Sequence, residues 1–185
     1  MSAKKRQSQG IQRIVLTGAP STGKTSVVDA LQRMGYGVMP EISRAYISQG
    51  DTQLGGVDPW RNLINFSREI WKLRVAQYES VERLSGQVFF DRSLLDTLSY
   101  FEAGDVAAPE DLNPQPYPYY PRVFIFPPWP DIYTLDGERW ESQETSEMLH
   151  QQLVKTYEGA GYELFEVPRG TVEERCKFIL DACDL

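Results

Sequence analysis

Short apolar runs alternate with amphipathic stretches along the chain. The runs predict β-strands over residues 11–17, 36–40, 87–91, 122–126 and 163–167. Each is followed by a segment whose apolar residues recur at helical spacing or by a loop that leads to one. Parallel neighbours can be joined only by crossovers, so strands that alternate with helices need a parallel sheet with helices on both faces. The pattern therefore predicts the α/β fold class.

Start and stop residues set the bounds of the predicted helices. The first helix follows the glycine-containing loop and runs through Met34, the second covers 42–47 and is ended by Gly50, and the third covers 58–84 with Asp58 as N-cap and Pro59 in its first turn. The fourth runs from Leu94 and stops near Gly104, and the fifth lies around 148–157 and is ended by Gly159 or Gly161. The capping box Thr171-x-x-Glu174 opens the last helix. Residues 51–57, 106–121 and 127–140 are expected to be irregular, because they are rich in glycine, proline or polar residues.

Composition limits the domain count and the class of partner. A chain of 185 residues, 41% of them apolar, suits one well-buried core. We expect a disordered basic tail over residues 1–10 and a single domain over 11–185. The 26 acidic residues outnumber the 19 basic ones, which argues against binding to nucleic acid.

The chain also lacks signals for export or structural metal. The basic start is followed by polar residues rather than an apolar stretch, and no run approaches the ~20 apolar residues that span a bilayer. Cys176 and Cys183 fall on one helix face, as core residues of a reducing compartment do. His150 has no sequence neighbour with which to bind zinc, so we read it as a helix-surface residue. A cytoplasmic protein without structural metal is expected.

One motif carries specific chemistry. The pattern G-x-x-x-x-G-K-[ST] is met by Gly18-Ala19-Pro20-Ser21-Thr22-Gly23-Lys24-Thr25, with a predicted strand before it and a helix after it. In such a P-loop the backbone N–H groups and the helix N-terminus point at phosphates, and Ser26 extends the predicted binding segment. Lys24 is expected to reach the β- and γ-phosphates, while the Thr25 hydroxyl is expected to hold Mg²⁺. The motif predicts binding of ATP or GTP.

Charged residues near strand ends are further candidates. Asp91 ends the strand over 87–91, where a carboxylate faces the usual ligand crevice and can bind Mg²⁺, or can simply cap the next helix. Glu41 and Arg44 follow the second strand and can share a cleft or form a surface ion pair. Arg92 follows Asp91, and Arg139 lies in an irregular segment from which a guanidinium can reach a transferred phosphate. The alternatives are a charge at a helix start for Arg92 and a solvated loop residue for Arg139.

The order of these motifs resembles a known family. The P-loop, then Pro40-Glu41-Ile42-Ser43-Arg44, then Phe90-Asp91-Arg92-Ser93-Leu94-Leu95-Asp96-Thr97 and an arginine-bearing lid look like the AAA-domain, kinase-like P-loop NTPases, which include a ribosylnicotinamide kinase domain. The Asp-Arg-Ser motif is also similar to that of deoxynucleoside and thymidylate kinases. The resemblance implies a three-layer fold with a five-stranded parallel sheet in the order 2-3-1-4-5 and a lid between strands four and five.

Two functional hypotheses follow from the residues and the resemblance. In the first, the protein is a kinase that transfers the γ-phosphate of ATP to a hydroxyl of a nucleoside-like acceptor, with Glu41 or Asp91 as proton acceptor and Lys24, Arg92 and Arg139 stabilising charge. Residues Glu41, Arg44, Asp96 and Tyr100 are predicted to shape the acceptor site. In the second, the protein is an ATP- or GTP-binding regulatory or trafficking module with slow hydrolysis. Its proline- and tyrosine-rich segment 106–121 and Pro127-Pro128-Trp129-Pro130 would then meet a protein or lipid partner.

Overall fold

The computed structural model describes residues 10–48, 62–82, 86–130 and 143–185. The strands are β1 Gln12–Gly18, β2 Gly37–Met39, β3 Gln87–Asp91, β4 Arg122–Phe126 and β5 Glu163–Glu166. The helices are α1 Lys24–Arg33, α2 Ile42–Ser48, α3 Leu63–Ser80, α4 Leu94–Ala103, α5 Gln143–Gly159 and α6 Val172–Ala182. Their alternation along the chain agrees with the predicted one.

All strand pairs in the sheet are parallel, and the strand order is β2-β3-β1-β4-β5. This order confirms the predicted α/β fold. β1 lies between β3 and β4, and its register places Leu16 opposite both Asp91 and Phe124. The carboxyl ends of β1 and β3 therefore lie side by side, where open parallel sheets bind ligands.

The two faces of the sheet are covered by different helices. Ile14 and Leu16 of β1 point into a core shared with α1 and α6, while Val15 points into one shared with α3, α4 and α5. All three side chains are fully buried, as expected for a strand covered on both faces. The result is a three-layer arrangement with β1 at its centre.

The proline-rich segment 106–121 is irregular, as predicted, but it is not a free surface. Leu112 and Tyr119 are buried. The rings of Tyr117 and Tyr119 make edge contacts with Tyr78 of α3, at centroid distances of 5.4 and 5.3 Å. The segment thus covers the core with these side chains, while others, such as Glu110 and Pro118, are exposed. A partner surface on this segment stays a prediction.

Helix bounds differ from the expectations at two places. α3 ends at Ser80 rather than near residue 84, and its expected start at Asp58 lies outside the described residues. α5 begins at Gln143, earlier than the apolar periodicity indicated, because its first turn is polar. Among the described helices none is both long and apolar enough to cross a membrane.

Candidate active site

The P-loop links β1 to α1 and contains three residues with positive φ. Gly18 has φ 141°, Ser21 61° and Gly23 75°. Gly23 is the N-cap of α1 in a left-handed conformation, so the helix N-terminus opens directly onto the loop. A Cβ at Gly18 would lie 2.5 Å from the carbonyl oxygen of Phe126, so glycine is required there by close packing on β4 as well as by conformation. Positive φ at these positions suits a turn whose backbone folds around an anion.

Lys24 is folded onto its own loop. Its Nζ donates to the carbonyl oxygens of Gly18 and Ala19 at 2.8 and 2.9 Å and to Thr22 Oγ1 at 3.3 Å. The side chain is 6% exposed, and its pKa is lowered to about 7, first by burial and then by the charge of Arg92. An anionic phosphate would supply the counter-charge that these neutral carbonyls lack. Thr25, the next residue, lies on the exposed face of the first turn of α1.

Asp91 holds a buried oxygen that has no partner. It is the last residue of β3, is 6% exposed, and its Oδ1 accepts no hydrogen bond. Burial, followed by the nearby charge of Glu41, raises the pKa of Asp91 to about 6. An unpaired carboxylate oxygen beside the P-loop is a site that a divalent cation would satisfy, so the residues fit Mg²⁺ held by Asp91 and Thr25.

Glu41 and Arg92 form an ion pair beside Asp91. Arg92 Nε donates to Glu41 Oε2, and Ser43 N donates to the other carboxylate oxygen, Oε1, at 3.2 Å. Burial alone would raise the pKa of Glu41, but Arg92 and then Arg74 outweigh it and lower the pKa to about 2. Arg92 itself has φ 74°, a strained conformation held by the hydrogen bond from its N–H to the Leu16 carbonyl at 2.9 Å. The structure therefore places Glu41 against Arg92, whereas the sequence pattern favoured Arg44 as its partner.

Arg74 of α3 is a site residue that sequence reasoning missed. Its Nη1 donates to the Ser93 carbonyl and, at 3.0 Å, to Thr97 Oγ1, while Nη2 lies 3.7 Å from Glu41 Oε1. The side chain is 5% exposed. A signal was present, since Arg74 follows Ile70 by four residues on the buried stripe of α3, where a charged residue needs a partner.

Asp96 lies behind the site rather than in it. Its carboxylate is fully buried and accepts hydrogen bonds from Thr17 Oγ1 at 2.6 Å, Ser93 N at 2.8 Å and the Tyr157 hydroxyl at 2.5 Å. Arg92 Nη1 lies 3.4 Å away. The prediction that Asp96 contacts substrate is corrected: its oxygens are already used to close the capping box of α4 and to join β1, α4 and α5.

Of the remaining predicted site residues, the structure describes the side chain of Tyr100 but not those of Arg44 and Arg139. Tyr100 lies one turn after Asp96 on α4, is half-buried and packs against the cluster formed by α3 and α4. The side chain of Arg44 and the whole of Arg139 lie outside the described residues. The structure thus brings together Lys24, Glu41, Asp91 and Arg92 and adds Arg74.

Comparisons with known proteins agree with this geometry. A family model described as AAA domain matches residues 13–175, whereas no curated protein matches. Among solved structures, the chain is similar to a deoxyadenosine kinase from M. mycoides with bound dATP, at 14% identity and a TM-score of 0.66 over 94% of this chain and 100% of that one. It is also similar to a thymidylate kinase from Ehrlichia chaffeensis, at 13% identity and 0.63 over 95% and 100%. A NadR protein in complex with NR gives 21% identity and 0.66 over 93% of this chain and 50% of that one. At these identities the solved structures show a shared fold.

Proposed function

The chain belongs to the AAA domain family, and on that premise we propose that it is a kinase that transfers the γ-phosphate of ATP, with Mg²⁺, to a hydroxyl of a nucleoside-like acceptor. One observation carries the proposal: the P-loop and the Glu41–Arg92 ion pair lie side by side at the carboxyl ends of adjacent strands. A P-loop alone would bind nucleotide. The carboxylate and guanidinium beside it supply the groups that a phosphoryl transfer needs.

The nucleotide side of the site consists of residues 18–26. Backbone N–H groups of the loop and the N-terminus of α1 would bind the phosphates, and Lys24 would exchange its bonds to the loop carbonyls for bonds to the β- and γ-phosphates. Thr25 and Asp91 would hold Mg²⁺, which neutralises charge on the transferred group when bound. The unpaired Oδ1 of Asp91 supports this role.

The acceptor side consists of Glu41, Arg92 and Arg74. We assign Glu41 as the proton acceptor, because its lowered pKa keeps it ionised at neutral pH and its 21% exposure leaves it open to a hydroxyl. The acceptor oxygen forms its bond to the γ-phosphorus as the bond to the ADP oxygen breaks, and the hydroxyl proton passes to Glu41. A strong base is not required, since phosphoryl transfer depends mainly on positioning and charge stabilisation.

The same ion pair favours a hydroxyl over a phosphate as the acceptor group. Arg92 and Arg74 each already face the carboxylate of Glu41, so an acceptor phosphate that drew either guanidinium fully to itself would break a buried ion pair. Breaking such a pair leaves an uncompensated buried charge. A nucleoside therefore fits the site better than a nucleoside monophosphate.

The structurally similar proteins support this class of reaction. Two of them are a deoxyadenosine kinase, described with bound dATP or dCTP, and a thymidylate kinase. A further one is a NadR protein in complex with NAD and AMP-PNP. These names favour ATP over GTP and a nucleoside or nucleotide acceptor.

The test is to incubate the protein with MgATP or MgGTP and a panel of nucleosides, ribosylnicotinamide, nucleoside monophosphates and small sugars, and to follow phosphorus NMR. We expect a new phosphomonoester from one nucleoside-like alcohol, and none with the Lys24→Ala variant. Nucleotide binding without any acceptor-dependent product would contradict the kinase and favour a nucleotide-dependent switch. A product from a monophosphate alone would contradict the choice of a hydroxyl.

A further inference from the structure

Arg175 of α6 contacts the back of the P-loop. Its Nη2 donates to the Thr22 carbonyl at 2.7 Å, and its Nη1 lies 3.5 Å from the Gly23 carbonyl. The residue is 3% exposed, and it lies 152 residues along the chain from Gly23. A buried guanidinium is costly unless it is paired, so its contacts with the loop need a reason.

Two aromatic rings hold this guanidinium in place. Its central carbon lies 4.7 Å from the ring centroid of Phe126 and 5.5 Å from that of Trp129. Its Nε is buried and has no hydrogen-bond partner in the described structure. The hydrogen bonds found for this guanidinium therefore go to the two loop carbonyls, and the rings fix the direction from which they come.

Because a peptide group is planar, fixing its carbonyl also fixes the direction of its N–H group. The described chain has no cis peptide bonds. In a trans peptide the C=O of one residue and the N–H of the next point in opposite directions. Because Arg175 binds the Thr22 and Gly23 carbonyls, the N–H groups of Gly23 and Lys24 point away from Arg175.

We propose that Arg175 is a positioning residue that orients the Gly23 and Lys24 amides for the phosphates of the nucleotide. The inference rests on the proposed nucleotide binding at the P-loop. The left-handed conformation of Gly23, with φ 75° and ψ 20°, is what lets both carbonyls face Arg175 together. The cation also polarises the two peptide groups, which strengthens their N–H groups as donors.

The first test compares Arg175→Met with a matched control, Arg169→Met. Arg169 is an exposed arginine six residues earlier, and its hydrogen bond goes to the Pro128 carbonyl rather than to the loop. Dissociation constants are measured for MgATP and for Mg-tripolyphosphate, which has no nucleoside. We expect Arg175→Met to weaken both ligands by about tenfold to a hundredfold and by the same factor, because the oriented amides meet phosphate only. The control should leave both unchanged.

An unequal effect would overturn the proposal. If Arg175→Met weakened MgATP and left tripolyphosphate unchanged, Arg175 would serve the nucleoside rather than the phosphate-binding amides. If Arg175→Met does not fold, Arg175→Lys carries the test, since it keeps the charge but loses the planar fork. It should weaken both ligands severalfold, and wild-type affinities in that variant would contradict an orienting role.

A second measurement does not depend on any ligand. The carbonyl ¹³C resonances of Thr22 and Gly23 are compared between wild type and Arg175→Met in the ligand-free protein. A shift at both carbonyls is expected when the guanidinium is lost, and unchanged resonances would show that the hydrogen bonds are absent. If the wild type bound neither MgATP nor tripolyphosphate, the proposed function would fail, while the carbonyl shifts would still decide whether Arg175 fixes the loop.

Discussion

Replacing Arg74 by methionine tests whether the acceptor side of the site is held from α3. The change removes the hydrogen bonds to Ser93 and Thr97 and the ion pair with Glu41, all at a side chain that is 5% exposed. Removing one partner of a buried pair costs about 3–5 kcal/mol of the free energy of unfolding. For a chain of this size each kcal/mol lowers the melting temperature by about 2–4 °C, so a fall of about 6–20 °C is expected.

The matched control lies on the same helix. Arg68 pairs with Asp111 at the surface, where the two side chains are 44% and 62% exposed, so Arg68→Met should cost less than about 1 kcal/mol. Urea unfolding followed by circular dichroism gives both free energies. Equal costs for the two variants would refute the reasoning, because burial and pairing would then make no difference.

The functional part of this prediction is a double-mutant cycle. If Arg74 acts through Glu41, Arg74→Met should lower kcat in the wild type but change it little in the Glu41→Gln background. The affinity for MgATP should be the same in all four proteins, since Arg74 does not contact the P-loop residues described above. Additive losses in kcat would show instead that Arg74 supports the fold without positioning Glu41.

Three further predictions follow from the site and its surroundings. Glu41→Gln should lower kcat by about 10²–10⁴ with the Kd for MgATP unchanged, as steady-state kinetics and calorimetric titration can show; an unchanged kcat would remove its proton-accepting role. Gly18→Ala should abolish MgATP binding and lower the free energy of unfolding by more than about 2 kcal/mol in a thermal unfolding experiment, since the new Cβ would lie 2.5 Å from a backbone oxygen of β4. The control is Gly159→Ala, which should be neutral or slightly stabilising because nothing lies within 4 Å of its new Cβ. Burial raises the pKa of the Cys176 thiol and raises that of Cys183 to about 12, so both should resist iodoacetamide at pH 8 until urea unfolds the protein; rapid alkylation of native Cys183 would contradict its burial.

The α/β architecture could be predicted because its signals are local. Apolar runs such as 122–126 mark buried strands, and the capping box at Thr171 marks the start of α6 at the residue where the structure has it. The strand order came from resemblance to a known family rather than from periodicity, because hydrophobic patterns do not say which strands are neighbours.

The site was predictable only where a motif marks it. The P-loop and the Asp-Arg pair are short, contiguous patterns, and both take part in the cluster around Lys24. Arg74 and Arg175 enter their clusters from distant helices, and nothing in their immediate sequence names the carbonyls and carboxylate they meet. The prediction for Asp96 was wrong because the residue lies next to the Asp-Arg motif in sequence. Its partners Thr17 and Tyr157 lie far away along the chain, so the sequence did not show that they bind its carboxylate.

The buried Asp96 cluster has a consequence for protein engineering. Thr17 comes from β1, Ser93 from the start of α4 and Tyr157 from α5, and one carboxylate accepts from all three. A chimaera that imports α5 from another protein of this fold must therefore bring a hydroxyl to the position of Tyr157. Without it, the buried Oδ2 of Asp96 would lose one of its two hydrogen bonds and keep only that from Ser93 N, however well the apolar residues of the graft pack. The elements that carry Thr17, Ser93 and Tyr157 are thus exchangeable as a set of three and not singly.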